Sequence, residues 1–150
     1  PEVTIASIQL KPVHLDQIKV AGEEAYPMEA CGLITGRLID GDVLAVTSIV
    51  EAKNILAANA TDRFEVDPAT RIKLEKEVRG TNKQLIGHYH SHPDNPSRPS
   101  KTDLENAHEP DLIWIIVSVI AGKALDVTAH RVLDDRSGFR EINILIQNSS

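Results

Sequence analysis

GHYHSHPDNPSRPSKTD, residues 87–103, holds three of the chain's six histidines, three prolines and a Ser-x-x-Asp pair. Residues two apart on a strand face the same side, so a strand ending here presents His90 and His92 together. Two neutral imidazoles and one carboxylate make a common catalytic zinc shell whose fourth position stays open for water. The carboxylate within reach is Asp103, eleven residues after His92. It stands on the first turn of a helix that begins at Ser100, and the proline-rich loop between can fold back beside the strand end. His88 extends the same alternation and could act as a third imidazole, although it lies deeper in the strand. Taken singly, each fragment has an ordinary reading: a structural histidine, a capping box, a surface loop. Their conjunction favours a mononuclear metal site.

Outward from this stretch the chain alternates strands and helices. PEVTIASIQL reads as a strand, and Pro12 opens a helix carrying Leu15, Ile18 and Ala25 that stops before Pro27. ACGLITGRLI and VLAVTSIV flank Asp40-Gly41, a hairpin signal. Residues 52–62 read as a loop, Arg63 to Val66 as a short strand. Asp67-Pro68 then caps a helix that runs to Gly80, supported by a Glu75–Arg79 pair. Gln84 to Tyr89 is a strand, and Ser100 starts a short helix that Pro110 ends. DLIWIIVSVI, an unbroken apolar run, is a central strand buried on both faces. ALDVTAHRVL and FREINILI complete the sheet. About eight strands with three helices interspersed predict a single α/β domain over residues 1–150, a layered mixed β-sheet flanked by the helices.

The composition restricts the function classes. The chain has 150 residues, sixteen Lys and Arg against 22 Asp and Glu, and a net charge of −6. This balance argues against a phosphate-binding surface, and 3% aromatic residues leave little for stacking on bases. No nucleic-acid partner is expected. No apolar run reaches the ~18 residues of a membrane span, and the first residues lack a signal-peptide pattern. The single cysteine, Cys31, cannot form an internal disulfide and fits a reducing, cytoplasmic setting. Cys31 reads as a small packing residue, since no basic neighbour in sequence lowers its pKa. His14, His108 and His130 read as structural or solvent-exposed.

His90-Ser91-His92, seven residues, Ser100, two residues and Asp103 together resemble the signature of the JAMM metalloproteases, the catalytic MPN domains of the Mov34/MPN/PAD-1 family. Upstream, Tyr26-Pro27-Met28-Glu29-Ala30-Cys31-Gly32-Leu33 is similar to the Pro-x-Glu-x-Cys-Gly segment of compact bacterial members. The resemblance covers nearly the whole chain and implies the JAB1/MPN fold, related to that of cytidine deaminases. It implies that His90, His92 and Asp103 hold one zinc ion. It further implies that Glu29 is the general base on the metal-bound water, and that Ser100 helps hold the tetrahedral oxyanion.

The same resemblance implies hydrolysis of a peptide or isopeptide bond after the C-terminal Gly-Gly tail of a small ubiquitin-like or sulfur-carrier protein. A groove accepting such a tail by sheet-edge pairing is expected, with residues 52–62 contacting the substrate. Only LENAHEP separates Asp103 from the next strand, which leaves no room for the insertion of eukaryotic deubiquitinating relatives. Two other classes differ from this chain in their residues. A non-catalytic MPN-type scaffold lacks some of the five motif residues, whereas this chain has all five. A zinc deaminase needs paired cysteines, which one cysteine cannot supply.

Overall fold

A computed structural model of the chain describes residues 4–56 and 63–148. The elements are β1 (Ser7–Leu10), α1 (Pro12–Ala25), β2 (Cys31–Ile39), β3 (Val43–Ala52), α2 (Pro68–Val78), β4 (Gln84–Pro93), α3 (Lys101–Glu105), β5 (Ile113–Ile120), β6 (Lys123–Val132) and β7 (Phe139–Ile146). The hairpin expected at Asp40-Gly41 is present. Both residues have positive φ, 47° and 81°, within the three-residue connection, Asp40 to Asp42, between the paired Ile39 and Val43. Ala121-Gly122 forms a two-residue turn between the paired Ile120 of β5 and Lys123 of β6, with φ of 50° and 82°, the backbone such a turn between twisted strands requires. At the start of α2, Asp67 accepts a hydrogen bond from the Ala69 N–H at 3.1 Å and Pro68 occupies the first turn, as its sequence predicts.

The strands run in the order β1-β3-β2-β4-β5-β6-β7 and close into a barrel. The closing strand is β1, only four residues long, which pairs in parallel with both β3 and β7. β4 and β5 are also parallel, joined by the proline-rich loop and α3, and the remaining neighbours are antiparallel. The mixed sheet expected from the sequence is present, curled so that its two ends bond to each other through β1. Closure through so short a strand is partial: β1 pairs with β3 only from Val43 to Ala45, while β3 continues to Ala52.

Other departures from the expected elements have local causes. Residues 63–66 make a single bridge, Asn54 to Val66, in place of a strand. Residues 57–62 of the loop expected to touch substrate lie outside the described residues. The helix after Ser100 is five residues long, because Asn106 takes the last turn: its backbone N–H and its side chain both donate to the Thr102 carbonyl. Glu75 pairs with Arg71 rather than Arg79, which lies at the end of α2, and Arg71 also forms a two-pronged ion pair with Glu109. No described helix is long and apolar enough to cross a membrane.

β4 divides the interior. Its Tyr89 and Ser91 face the main core under α1, where Ile8, Ile18, Ile34, Ile115 and Val117 are fully buried. Gly22 lets α1 approach β4 and β5 closely, since a Cβ there would meet Val119 at 2.9 Å and Ser91 at 3.4 Å. His88, His90 and His92 face the opposite side, where Phe64, Trp114, Val132 and Phe139 form a second apolar cluster. β5 is buried along both faces, as its unbroken apolar run predicts. Three of the chain's five aromatic side chains thus gather around the histidine face.

Candidate metal centre and active site

The strand phase of β4 brings the His90 and His92 rings to one side. Their Nε2 atoms lie 3.1 Å apart. The loop from Asp94 to Ser100 returns Asp103 to them because β5 and β6 hold its carbonyls: Ser118 Oγ donates to Asn95 O at 2.6 Å and Thr128 Oγ1 to Ser97 O at 2.5 Å. Asp103 Oδ2 then sits 3.1 Å from His92 Nε2, and Oδ1 sits 3.3 Å from His90 Nε2. These separations match the edges of a tetrahedral zinc shell, about 3.3 Å for ligands 2.0–2.1 Å from the ion. The three residues form one group with all donor atoms within 4.8 Å of one another.

The surrounding bonds orient the donors. His92 Nδ1 donates to the Pro96 carbonyl at 2.8 Å, which leaves the Nε2 lone pair directed at the shared point. His90 is held by ring contacts instead: Phe64 stacks on it at 4.4 Å and Trp114 meets it edge-on at 5.4 Å. Ser100 Oγ accepts from the Asp103 N–H at 3.0 Å while Asp103 Oδ2 accepts from the Ser100 N–H at 2.8 Å. The same capping box that starts α3 therefore fixes the carboxylate.

Burial and neighbouring charge act differently on the three donors. Burial opposes charge on Asp103, yet its bonds to His90 and His92 and the Ser100 N–H outweigh that and hold the carboxyl well below the usual range. Burial dominates at His90 and lowers its pKa, keeping the ring neutral as a ligand must be. At His92 burial is outweighed by Asp103, the Pro96 carbonyl and the charge of Glu29, and the pKa rises.

Glu29, His92 and Ser100 line one cavity of about 340 Å³, together with Pro96, Arg98 and Thr102. Glu29 is only 4% exposed and sits in the turn between α1 and β2. All five motif residues are therefore brought to one place. His88 is not part of the ligand group. It packs edge-on against Trp114 at 4.3 Å, burial pushes its pKa down to about 3, and it lines a separate hollow of about 560 Å³ with Phe64, Leu56 and Trp114. Cys31 is buried with its pKa pushed up to about 12, first by burial and then by the Glu29 charge, as a packing thiol should be. His14 Nδ1 accepts from the Lys11 N–H at 3.2 Å at the start of α1, and His130 bonds Thr128 at 2.7 Å. Both are structural, and His108 is exposed.

Sequence reasoning missed two polar groups beside Glu29. Ser91, between the two histidines, accepts a hydrogen bond from the Ala30 N–H at 2.7 Å. Asn54 donates to the Glu29 carbonyl at 3.0 Å. The alternation that singles out the histidines also places Ser91 on the other face, but nothing in the sequence marks Asn54.

A barrel flanked by three helices, with a His-His-Asp group beside a buried glutamate, defines the JAB class of protease-type hydrolases. A profile of prokaryotic homologs of the JAB domain matches residues 11–132, and the chain belongs to that family. It is 31% identical over 121 residues to a desampylase of Haloferax volcanii, covering 81% of this chain and 80% of that protein. It is 24% identical over 122 residues to a CysO-cysteine peptidase of Mycobacterium tuberculosis, with the same coverage. A solution structure of a protein from Desulfitobacterium hafniense superposes with a TM-score of 0.80 at 29% identity, covering 95% of this chain and 94% of that one.

Proposed function

We propose that the protein is a zinc-dependent peptidase that hydrolyses a peptide or isopeptide bond after the Gly-Gly tail of a small ubiquitin-like or sulfur-carrier protein. The observation that carries this reading is the convergence of His90 Nε2, His92 Nε2 and the Asp103 carboxylate beside a cavity that Glu29 and Ser100 share. Zinc held by those three residues would polarise the scissile carbonyl and lower the pKa of water to about 7. Glu29 takes the proton of the attacking water and delivers it to the leaving amine. The Ser100 hydroxyl accepts from Asp103 N–H and keeps its own hydrogen for the oxyanion, a contact worth about 3 kcal/mol in the transition state. The His88 hollow, with Phe64 common to its wall and to the His90 stack, would take the apolar part of the substrate tail. The names desampylase and CysO-cysteine peptidase support a small protein modifier or carrier as substrate.

The test uses zinc-loaded protein with small ubiquitin-like carriers whose Gly-Gly tails bear extensions, the cleavage position being read by mass. Glu29→Gln is expected to keep zinc and fold while losing hydrolysis, and retained turnover would remove Glu29 from the base role. His90→Ala and Asp103→Ala are expected to lose stoichiometric zinc. One zinc per chain in either variant would refute the ligand assignment.

A further inference from the structure

The peptide unit between Glu29 and Ala30 is gripped at both ends by side chains. Its carbonyl accepts from Asn54 Nδ2 at 3.0 Å, and its N–H donates to Ser91 Oγ at 2.7 Å, both in buried surroundings. Ser91 N–H donates back to the Ala30 carbonyl at 3.1 Å. A peptide unit is planar, so fixing its oxygen and its N–H together fixes the plane. That plane contains the Glu29 Cα, so the two bonds fix the backbone point from which the Glu29 side chain leaves.

Asn54 has no capacity left over. Its Oδ1 accepts from the Leu56 and Glu65 N–H groups, each at 3.0 Å, and its second amide hydrogen goes to the Arg63 carbonyl at 3.4 Å. An amide offers two donors and two lone pairs, and all four are used. Three of the bonds hold the neck of the segment that supplies Leu56, Phe64 and Glu65 to the His88 hollow. The fourth holds Glu29. Ser91, for its part, lies between the ligands His90 and His92 on the same strand.

We propose that Asn54 and Ser91 are positioning residues: by clamping the Glu29–Ala30 peptide they hold the glutamate in register with the ligand strand on one side and the hollow's wall on the other. This rests on the reading of Glu29 as the general base. A displacement of about 1 Å at a reacting group can cost about 100-fold in rate, so a clamp on one peptide has catalytic consequence.

The test compares Asn54→Ala, Asn54→Asp, Ser91→Ala and Ser91→Thr in the zinc-loaded protein. Asn54→Asp keeps the acceptors for Leu56 and Glu65 but cannot donate to Glu29, so it isolates the clamp should the alanine variant fold poorly. Zinc stoichiometry is expected to stay at one in all four. On the extended carriers, kcat should fall about 10- to 100-fold for all but Ser91→Thr, whose hydroxyl restores the bond. A second readout needs no turnover. The ¹³C resonance of the Glu29 carboxyl, assigned by its disappearance in Glu29→Gln, should move in the clamp variants while the ring ¹⁵N signals of His90 and His92 stay. Unmoved carboxyl signals, or an unchanged kcat in Asn54→Asp and Ser91→Ala, overturn the clamp. Turnover surviving Glu29→Gln overturns the base reading instead, and the resonance then decides the clamp alone.

Discussion

Gly32 is the position where one added methyl group tests the packing behind the metal centre. It lies on β2 opposite Tyr89 of β4, and its conformation is one any residue can adopt, so the argument is purely steric. A Cβ there would stand 2.2 Å from Tyr89 Cε2, 2.5 Å from Cζ and 2.5 Å from the Val50 carbonyl oxygen. The ring is fully buried and the oxygen belongs to the backbone of β3, so neither yields easily. Overpacking usually costs about 1–3 kcal/mol, and two stiff obstacles place Gly32→Ala at the upper end. For a chain of this length about 3 kcal/mol lowers the melting temperature by about 6–12 °C. Tyr89 sits between His88 and His90, so the displaced ring should also disturb β4 and weaken zinc binding. Thermal denaturation followed by circular dichroism, with and without zinc, measures the first effect and competition with a chelator the second. A double-mutant cycle with Tyr89→Leu assigns the cause, because removing the ring removes most of the clash and the two losses should couple by about 1 kcal/mol or more. A Gly32→Ala protein melting within about 2 °C of wild type, or losses that simply add, would refute the reasoning.

Two further outcomes follow from buried polar groups. The Tyr89 hydroxyl is buried with no hydrogen-bond partner among the described residues, so Tyr89→Phe should melt at or above the wild-type temperature; a clear drop would mean the hydroxyl is paired. Burial, and secondarily the Lys11 charge, lowers the His14 pKa, and burial also lowers that of His130. Both rings therefore favour the folded state when neutral. That stability is complete above their unfolded pKa of about 6.5 and is lost as pH falls through the lower folded values. Metal-free protein should consequently unfold at less urea at pH 5.5 than at pH 7.5, and His14→Gln should flatten the difference; an unchanged slope excludes His14 as a contributor.

The parts of the site that sequence made legible are those set by short-range periodicity. His90 and His92 share a face because strands repeat every two residues, and Asp103 is placed by the helix start that Ser100 announces. Asp40-Gly41 and Asp67-Pro68 behave as their local chemistry dictates. What stayed hidden depends on partners distant in the chain. Arg71 has Glu75 one turn away, yet its two-pronged partner Glu109 is 38 positions on. Asn54 binds a carbonyl 25 residues earlier and an N–H eleven residues later, a pattern with no sequence period. Barrel closure was equally invisible, because a four-residue strand carries too little pattern to declare two neighbours.

That closure also constrains how the molecule is made. Ser7 to Leu10 align with Asn143 to Ile146, so one side of β1 has nothing to bond until residues more than 130 positions later have been synthesised. On the ribosome, α1 and the β2–β3 hairpin can leave the exit tunnel and begin to pack, but the seam must wait for the last strand to emerge. Pairings between such distant residues are slow to form, and the open seam is an aggregation hazard while it lasts. Closure of this barrel is thus a late event in folding, set by the time β1 and β7 take to meet.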